Sequence, residues 1–347
     1  MDGKHRRGRK KYLKTLFISQ QIRSNMAWFS KGIKWQSSKP HLLYLSKFLS
    51  PRSMDEFSKS EVWAEVLKDK TNRINKLFLD KGLLRKGDLN EKMDAKFKGS
   101  DVKSLLKERN LPVTGKKLIL IEKLLQSDRD GMNSLVQNFD IIICTERGRS
   151  IAEDFLKKEE EIKQTVEQNT VLLLREGKFR EARICIANYE AEQVFQRGME
   201  IDWKNYKPSR EEPILKMIFS KTPTMLKSLN REQIDVLRLV AGMMELWGTN
   251  TGKKWLPVNF SIPLLIDVDS AARMLLFHAS FLNDIMRFKK SGIEFVQIMS
   301  DGTSCEKCKK HAGEKFKIDQ VIELPNPECT HRLGCRCMLL PIIDIPQ

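Results

Sequence analysis

No stretch of this chain approaches the roughly 18 uninterrupted apolar residues that a membrane-spanning helix needs. Runs such as Ile141–Cys144 and Met274–Phe277 are the size of core segments. The chain therefore reads as soluble and intracellular, cytoplasmic or nucleoid-associated, with no membrane partner. No signal-peptide order of basic region, apolar core and small-residue cleavage site opens it. There is no GxSxG, HExxH or kinase signature and no repeat at solenoid periods. Histidines number only five, and the clustered pair, His311 and His331, lies among cysteines, so no catalytic dyad is visible. Gly248-Thr-Asn-Thr-Gly252-Lys253-Lys254 falls short of a phosphate loop. It has three residues between the glycines where four are required, and Lys254 stands where a magnesium-holding hydroxyl belongs.

Acidic residues are almost missing from the first 53 positions, which hold 13 Lys/Arg and only Asp2, a net charge of +12. The other 294 residues hold 49 Lys/Arg and 44 acids, so the formal +17 of the chain is concentrated at one end. On composition, residues 1–53 form a basic, disordered extension. Its role is open between a nucleic-acid grip centred on Lys4, Arg6, Arg7, Arg9, Lys10 and Lys11, an organelle-targeting segment, and an upstream extension ahead of Met54. The 347 residues, 41% hydrophobic and 31% charged, are enough for two or three domains with real cores.

Residues 99–126, GSDVKSLLKERNLPVTGKKLILIEKLLQ, form the most informative stretch. Val102, Leu105, Leu106 and Arg109 fall at helical spacing, with Ser100 as a candidate N-cap. Asn110 sits where that helix ends, and Asn tolerates the left-handed conformation of a C-terminal cap. Pro112 fixes a loop. Thr114 is a candidate cap for a second helix that opens with Gly115, Lys116 and Lys117 and turns Leu118, Ile121, Leu124 and Leu125 inward. Free N–H groups at such a start, beside two lysines, suit a phosphate. The pattern of Val102, Leu105, Leu106, Arg109, Leu111, Pro112, Gly115, Lys116, Lys117, Leu118, Leu120, Ile121, Leu124 and Leu125 resembles the SAP family of helix–loop–helix modules. That resemblance implies contact with duplex DNA through Lys103, Lys107, Arg109, Thr114, Gly115, Lys116, Lys117 and Lys123.

Five of the seven cysteines crowd into the C-terminal region: Cys305, Cys308, Cys329, Cys335 and Cys337, with His331 among them. Cys305-x2-Cys308 is the tight half of a zinc site, and twenty residues then precede Cys329, close to zinc-ribbon spacing. Six candidates exist for four positions. Cys305 and Cys308 are the firmest, two more come from Cys329, Cys335 and Cys337, and His331 is the reserve. Without a secretory signal, structural zinc is favoured over disulfides. Cys144 and Cys185 read as buried core thiols. The series Asp301, Cys305-x2-Cys308, Gly313, Phe316, Leu324-Pro325 and Cys335-Arg336-Cys337 resembles the C-terminal end of tailed-phage minor head proteins, which implies an origin in a phage or prophage particle.

Elsewhere the pattern is helical. Expected segments are 54–98 as helical support for the module, a charged helix over 150–175 with pairs Glu153–Lys157, Asp154–Lys158 and Glu159–Lys163, helix over 178–200, a linker at 201–214, helix over 215–247, and helix from Asp269 or Ser270 to Arg287. Ile293–Met299 is the clearest strand. His278 reads as a satisfied histidine with no metal partner. The expected architecture is mainly α: a helical body with a SAP-like module at 99–127, a helical middle at 128–289, and a small zinc-stabilised β unit at 290–347. Three functions follow. The first is a DNA-binding protein with a structural zinc. The second is a head-associated structural protein of a phage particle, with other protein components as partners. The third is a DNA-processing enzyme tethered by the module, with Asp301 and Glu306 as nearby acids.

Overall fold

The computed structural model describes residues 34–54, 60–198, 200–209 and 211–343; the basic cluster at Lys4–Lys11 lies outside them. Among the described residues the chain is mainly helical, with two small antiparallel sheets, and no helix is long and apolar enough to cross a membrane. It divides into two compact units, Met1–Phe155 and Leu156–Gln347.

In the first unit, helices α1 (Lys39–Ser46), α2 (Glu61–Leu67) and α3 (Thr71–Asp80) pack with a short sheet made of β1 (Arg52–Ser53), β2 (Leu84–Lys86) and β3 (Ile141–Cys144), in the order β1-β3-β2. Ser60 caps α2, accepting from the Trp63 N–H. The core is aromatic: the Tyr44 ring lies 5.1 Å from Phe48 and 5.0 Å from Trp63. Residues 34–53 are therefore not a dispensable extension. Trp35, Tyr44, Leu45 and Phe48 are buried, and Arg52 pairs with Ile142. Charge composition misleads here because the lysines of this stretch alternate with core residues.

The Tyr44 hydroxyl donates to Asn75 Oδ1 at 2.9 Å, deep in this core. Tyr44→Phe leaves that carboxamide oxygen without its donor, and the expected cost is about 1–3 kcal/mol in chemical denaturation.

Strands β2 and β3 are adjacent and antiparallel, Leu84 opposite Cys144 and Lys86 opposite Ile142. Everything between them is looped out. This insertion holds α4 (Leu89–Lys96), α5 (Gly99–Glu108), α6 (Lys117–Ser127) and α7 (Arg129–Val136) around a core of its own, with Met93, Val102, Leu106, Leu120, Ile121, Leu124, Met132 and Val136 buried. The expected two-helix module is thus half of a four-helix body, and α4 belongs to it and is not a separate support. Asp88 and Glu91 form a capping box on α4.

Helix α8 (Glu146–Arg175) starts four residues before the expected position and runs from the first unit into the second. Gly148 makes the start feasible, because a Cβ there would meet the Leu83 carbonyl oxygen at 2.0 Å. Arg149–Glu153 and Lys163–Glu167 form ion pairs along it.

The second unit packs α9 (Phe179–Ala191), α10 (Glu211–Ser220), α11 (Arg231–Trp247), α12 (Thr249–Lys253) and α13 (Val268–Lys290) into one apolar core. The expected helix over 178–200 stops at Ala191, and the one over 215–247 is two helices split by a 3₁₀ turn at Thr224–Leu226 after Pro223. Asn230 and Gln233 form the capping box that restarts the chain as α11. His278 on α13 is buried, with Nδ1 3.0 Å from the Leu324 carbonyl oxygen, the satisfied histidine expected. A second sheet follows, in the order β5-β4-β6, from β4 (Phe295–Met299), β5 (Lys315–Lys317) and β6 (Met338–Pro341).

Candidate metal centre and candidate nucleic-acid interface

Strand register assembles the cysteines. Met299 at the end of β4 pairs with Met338 at the start of β6. Cys305 and Cys308 follow β4 within a few residues, and Cys335 and Cys337 directly precede β6, so antiparallel pairing delivers both halves to one end of the sheet. Cys305 is the N-cap of the one-turn helix α14 (Glu306–Lys309), which carries Cys308 into the core at 1% exposure. Cys329 is placed by a turn in which its N–H donates to the Asn326 carbonyl.

All seven cysteines are free. Cys305 Sγ lies 3.7 Å from Cys329 Sγ, and Cys308 Sγ lies 3.8 Å from Cys335 Sγ. Two overlapping triads result, Cys305–Cys308–Cys329 and Cys308–Cys335–Cys337, each with sulfurs within 4.8 Å of one another. The cluster can hold a metal ion. The structure brings together all five expected cysteines. His331 is in neither triad, and its Nδ1 instead accepts from the Leu333 N–H at 3.1 Å.

Burial works against ionising Cys305, but hydrogen bonds from the Thr330 and Cys308 backbones outweigh it and bring the thiol down to about 6. Burial and the neighbouring Cys335 push Cys308 up to about 12. Hydrogen bonds donated by Cys329 and Cys337 lower the Cys335 thiol and raise the two donors. A metal held by these thiols would take them as thiolates, so its binding would release protons.

Surrounding groups lock this geometry. Asn326, 4% exposed, donates through Nδ2 to the Lys307 carbonyl at 3.3 Å and toward Cys308 Sγ at 3.7 Å. Asp301 accepts from Thr303 and Ser304 and pairs with Arg336 Nη1 at 3.3 Å, tying the turn before Cys305 to the residue between Cys335 and Cys337. Arg336 also donates to Thr303 Oγ1. Glu306 pairs with Lys309. Both acids considered for catalysis are therefore engaged in local structure. Asn326 was not legible as a site residue; its position in a proline-rich loop was the available signal.

Gly334, at φ 79°, turns the chain just before Cys335, and a Cβ there would sit 2.7 Å from the Met274 side chain. Gly334→Ala meets both a left-handed backbone and a filled space. Its expected cost is about 1–3 kcal/mol, read as a lower thermal midpoint together with lower metal content.

The insertion in the first unit presents the other candidate surface. Helix α5 is N-capped at Lys98, whose N–H donates to Asp101, and not at Ser100. It ends as expected, with Asn110 left-handed at φ 54° and the Leu111 N–H returning to the Leu106 carbonyl. Helix α6 begins at Lys117 with Lys116 as N-cap; Thr114 does not cap it, and no side chain does. The first N–H groups of α6 are therefore without intrahelical acceptors.

The expected contact residues separate into two groups. Arg109 is bound to Asp128 at 2.7 Å and Lys123 donates to the Thr114 carbonyl at 3.2 Å, bracing the hairpin, and Lys117, bound to Asp94 at 2.9 Å, ties it to α4. Lys103, Lys107 and Lys116 are exposed and form no ion pair among the described residues, and Thr114 and Gly115 are exposed beside them in sequence. Leu118, expected to face inward, is 59% exposed, and Leu120 is buried in the core instead; the helix starts two residues after Gly115.

No family model, no curated protein and no solved structure matches this chain.

Proposed function

We propose that this chain is a DNA-binding protein that contacts duplex phosphates through the insertion between β2 and β3 and is stabilised by a structural zinc in the C-terminal cysteine cluster. The observation that carries the DNA reading is the start of α6. It has no side-chain cap, it is flanked by Lys116, which is exposed and forms no ion pair among the described residues, and it stands on a four-helix body with its own core. The SAP-like pattern supports the same reading. Contacts of this kind position a protein on DNA without reading bases, so weak sequence preference and steep salt dependence are expected. Binding of a labelled duplex by the parent and by Lys116→Glu tests it; equal affinity would remove the assignment.

The all-thiol donor set and the Cys305-x2-Cys308 spacing support zinc as the ion. Four thiolates at about 2.3 Å around a tetrahedral zinc lie about 3.8 Å apart. The pairs Cys305–Cys329 at 3.7 Å and Cys308–Cys335 at 3.8 Å have that length, and Cys308 is common to both triads. Five thiols are enough to fill all four positions with protein, which supports a structural role for the ion. Cys305, Cys308 and Cys329 supply three ligands, and Cys335 or Cys337 the fourth.

A second reading, a head-associated protein of a phage particle, is favoured by one observation. Asp301 and Arg336, both part of the tail pattern, form an ion pair across the cysteine cluster. The pattern is therefore one folded unit. Co-sedimentation with a capsid or portal assembly would support this reading.

A further inference from the structure

Five thiols stand where a tetrahedral ion takes four, so one is left over. Cys335 and Cys337 compete for the last position. Cys335 is 1% exposed, and its Sγ lies 3.8 Å from Cys308 Sγ, the edge length of a tetrahedral zinc–thiolate site. Cys337 is half-buried. Solvent reaches it, yet its sulfur lies within 4.8 Å of those of Cys308 and Cys335.

A thiolate bound to a cation has committed the lone pair with which it would attack an oxidant. A thiol outside the coordination sphere has not, and cysteine oxidation follows access and free thiolate character. Cys305 and Cys329 are also half-buried, but both hold the ion. Cys337 is open and uncommitted. Its partner in reach is Cys308, because a disulfide to Cys335, two residues away in the chain, is strained.

We propose that Cys337 is the redox trigger of the metal site: a peroxide oxidises it, Cys308 joins it in a disulfide, and the ion is released. This rests on the zinc reading above. In the first step the Cys337 sulfur attacks one peroxide oxygen. An S–O bond forms, the O–O bond breaks, and the thiol proton leaves with the departing hydroxide as water. In the second step the Cys308 sulfur attacks the sulfenic sulfur. The S–S bond forms, the S–O bond breaks, and the departing hydroxide takes a proton from solvent. Two electrons thus pass from the two sulfurs to the peroxide, which ends as two waters. Cys305, Cys329 and Cys335 remain, one thiol short of the four that a structural zinc takes.

Hydrogen peroxide added to the zinc-loaded full chain tests this, with released zinc read by a chromogenic chelator and disulfides mapped by mass spectrometry of unreduced peptides. The expected result is one zinc released for each Cys308–Cys337 disulfide formed, reversed by a dithiol reductant. Cys337→Ser keeps four thiols of the cluster, loads with zinc, and releases it about tenfold more slowly. Cys185→Ser, outside the cluster, releases it at the parent rate. Zinc retained under peroxide, a Cys305–Cys329 disulfide as the main product, or release from Cys337→Ser at the parent rate would overturn the inference and leave the zinc reading intact. A parent chain that loads no zinc would remove both. If Cys337→Ser does not load, the disulfide map of the parent decides.

Discussion

Cys308→Ser should strip the metal from the protein and lower the thermal midpoint of the second unit by roughly 6 to 20 °C. Cys308 is the one cysteine common to both triads, and it is 1% exposed within the core of that unit. Serine loses the sulfur ligand and leaves a hydroxyl among apolar neighbours. In small zinc-folded peptides the metal contributes about 10–16 kcal/mol. Here the cluster packs onto a helical core much larger than itself, so the turns that carry the cysteines and the second sheet depend most on the ion, and the expected loss is about 3–5 kcal/mol. For a unit of this size each kcal/mol is worth about 2–4 °C. Two controls separate the metal from packing. Cys185→Ser should leave the metal content at the parent value, since Cys185 lies outside the cluster. His331→Ala should also leave it unchanged if the donors are all sulfur. Mass spectrometry under native conditions reads both, and a parent protein that carries no metal after zinc reconstitution would refute the assignment.

Lys116→Glu should lower affinity for duplex DNA by about 10- to 50-fold at moderate salt, with no change in thermal midpoint. Its side chain is exposed and forms no ion pair among the described residues, so its role in the proposal is electrostatic. Lys117→Met should behave differently. Lys117 is ion-paired with Asp94 of α4, so its removal loosens the four-helix body and lowers stability along with binding. Anisotropy paired with a thermal melt distinguishes the two. Equal effects of both variants on stability would mean that the structure assigns the lysines wrongly, and a Lys116→Glu protein that binds like the parent would mean that α6 does not face phosphate.

Local chemistry was the legible part. Asn110 and Pro112 marked the turn between α5 and α6, because few residues accept a φ of 54° and that one does. The spacing Cys305-x2-Cys308 and the crowding of Cys329, Cys335 and Cys337 announced a cluster before any strand was known. The alternation over Ile293–Met299 was enough to place β4. What escaped depends on contacts distant in sequence. The packing of Tyr44 on Trp63, and the pairing of Arg52 with Ile142, turn a stretch of basic composition into core. Strands β1 and β2 are two and three residues long, too short to show a period, so the insertion between β2 and β3 was invisible. The division of the module's basic residues into braces and free charges required Asp94 and Asp128 to be in place, and neither position is implied by the helix–loop–helix pattern.

The measurement that bears most directly on the DNA reading is fluorescence anisotropy of a labelled duplex titrated with the protein beginning at residue 34, over a range of salt. Starting there keeps the aromatic core intact and removes nine Lys/Arg against one acid, so the basic segment cannot supply the binding. With about three phosphates engaged, affinity should fall about 40-fold between about 50 and 200 mM salt, linearly on logarithmic axes. Absence of binding at low salt, or binding indifferent to salt, would contradict the account.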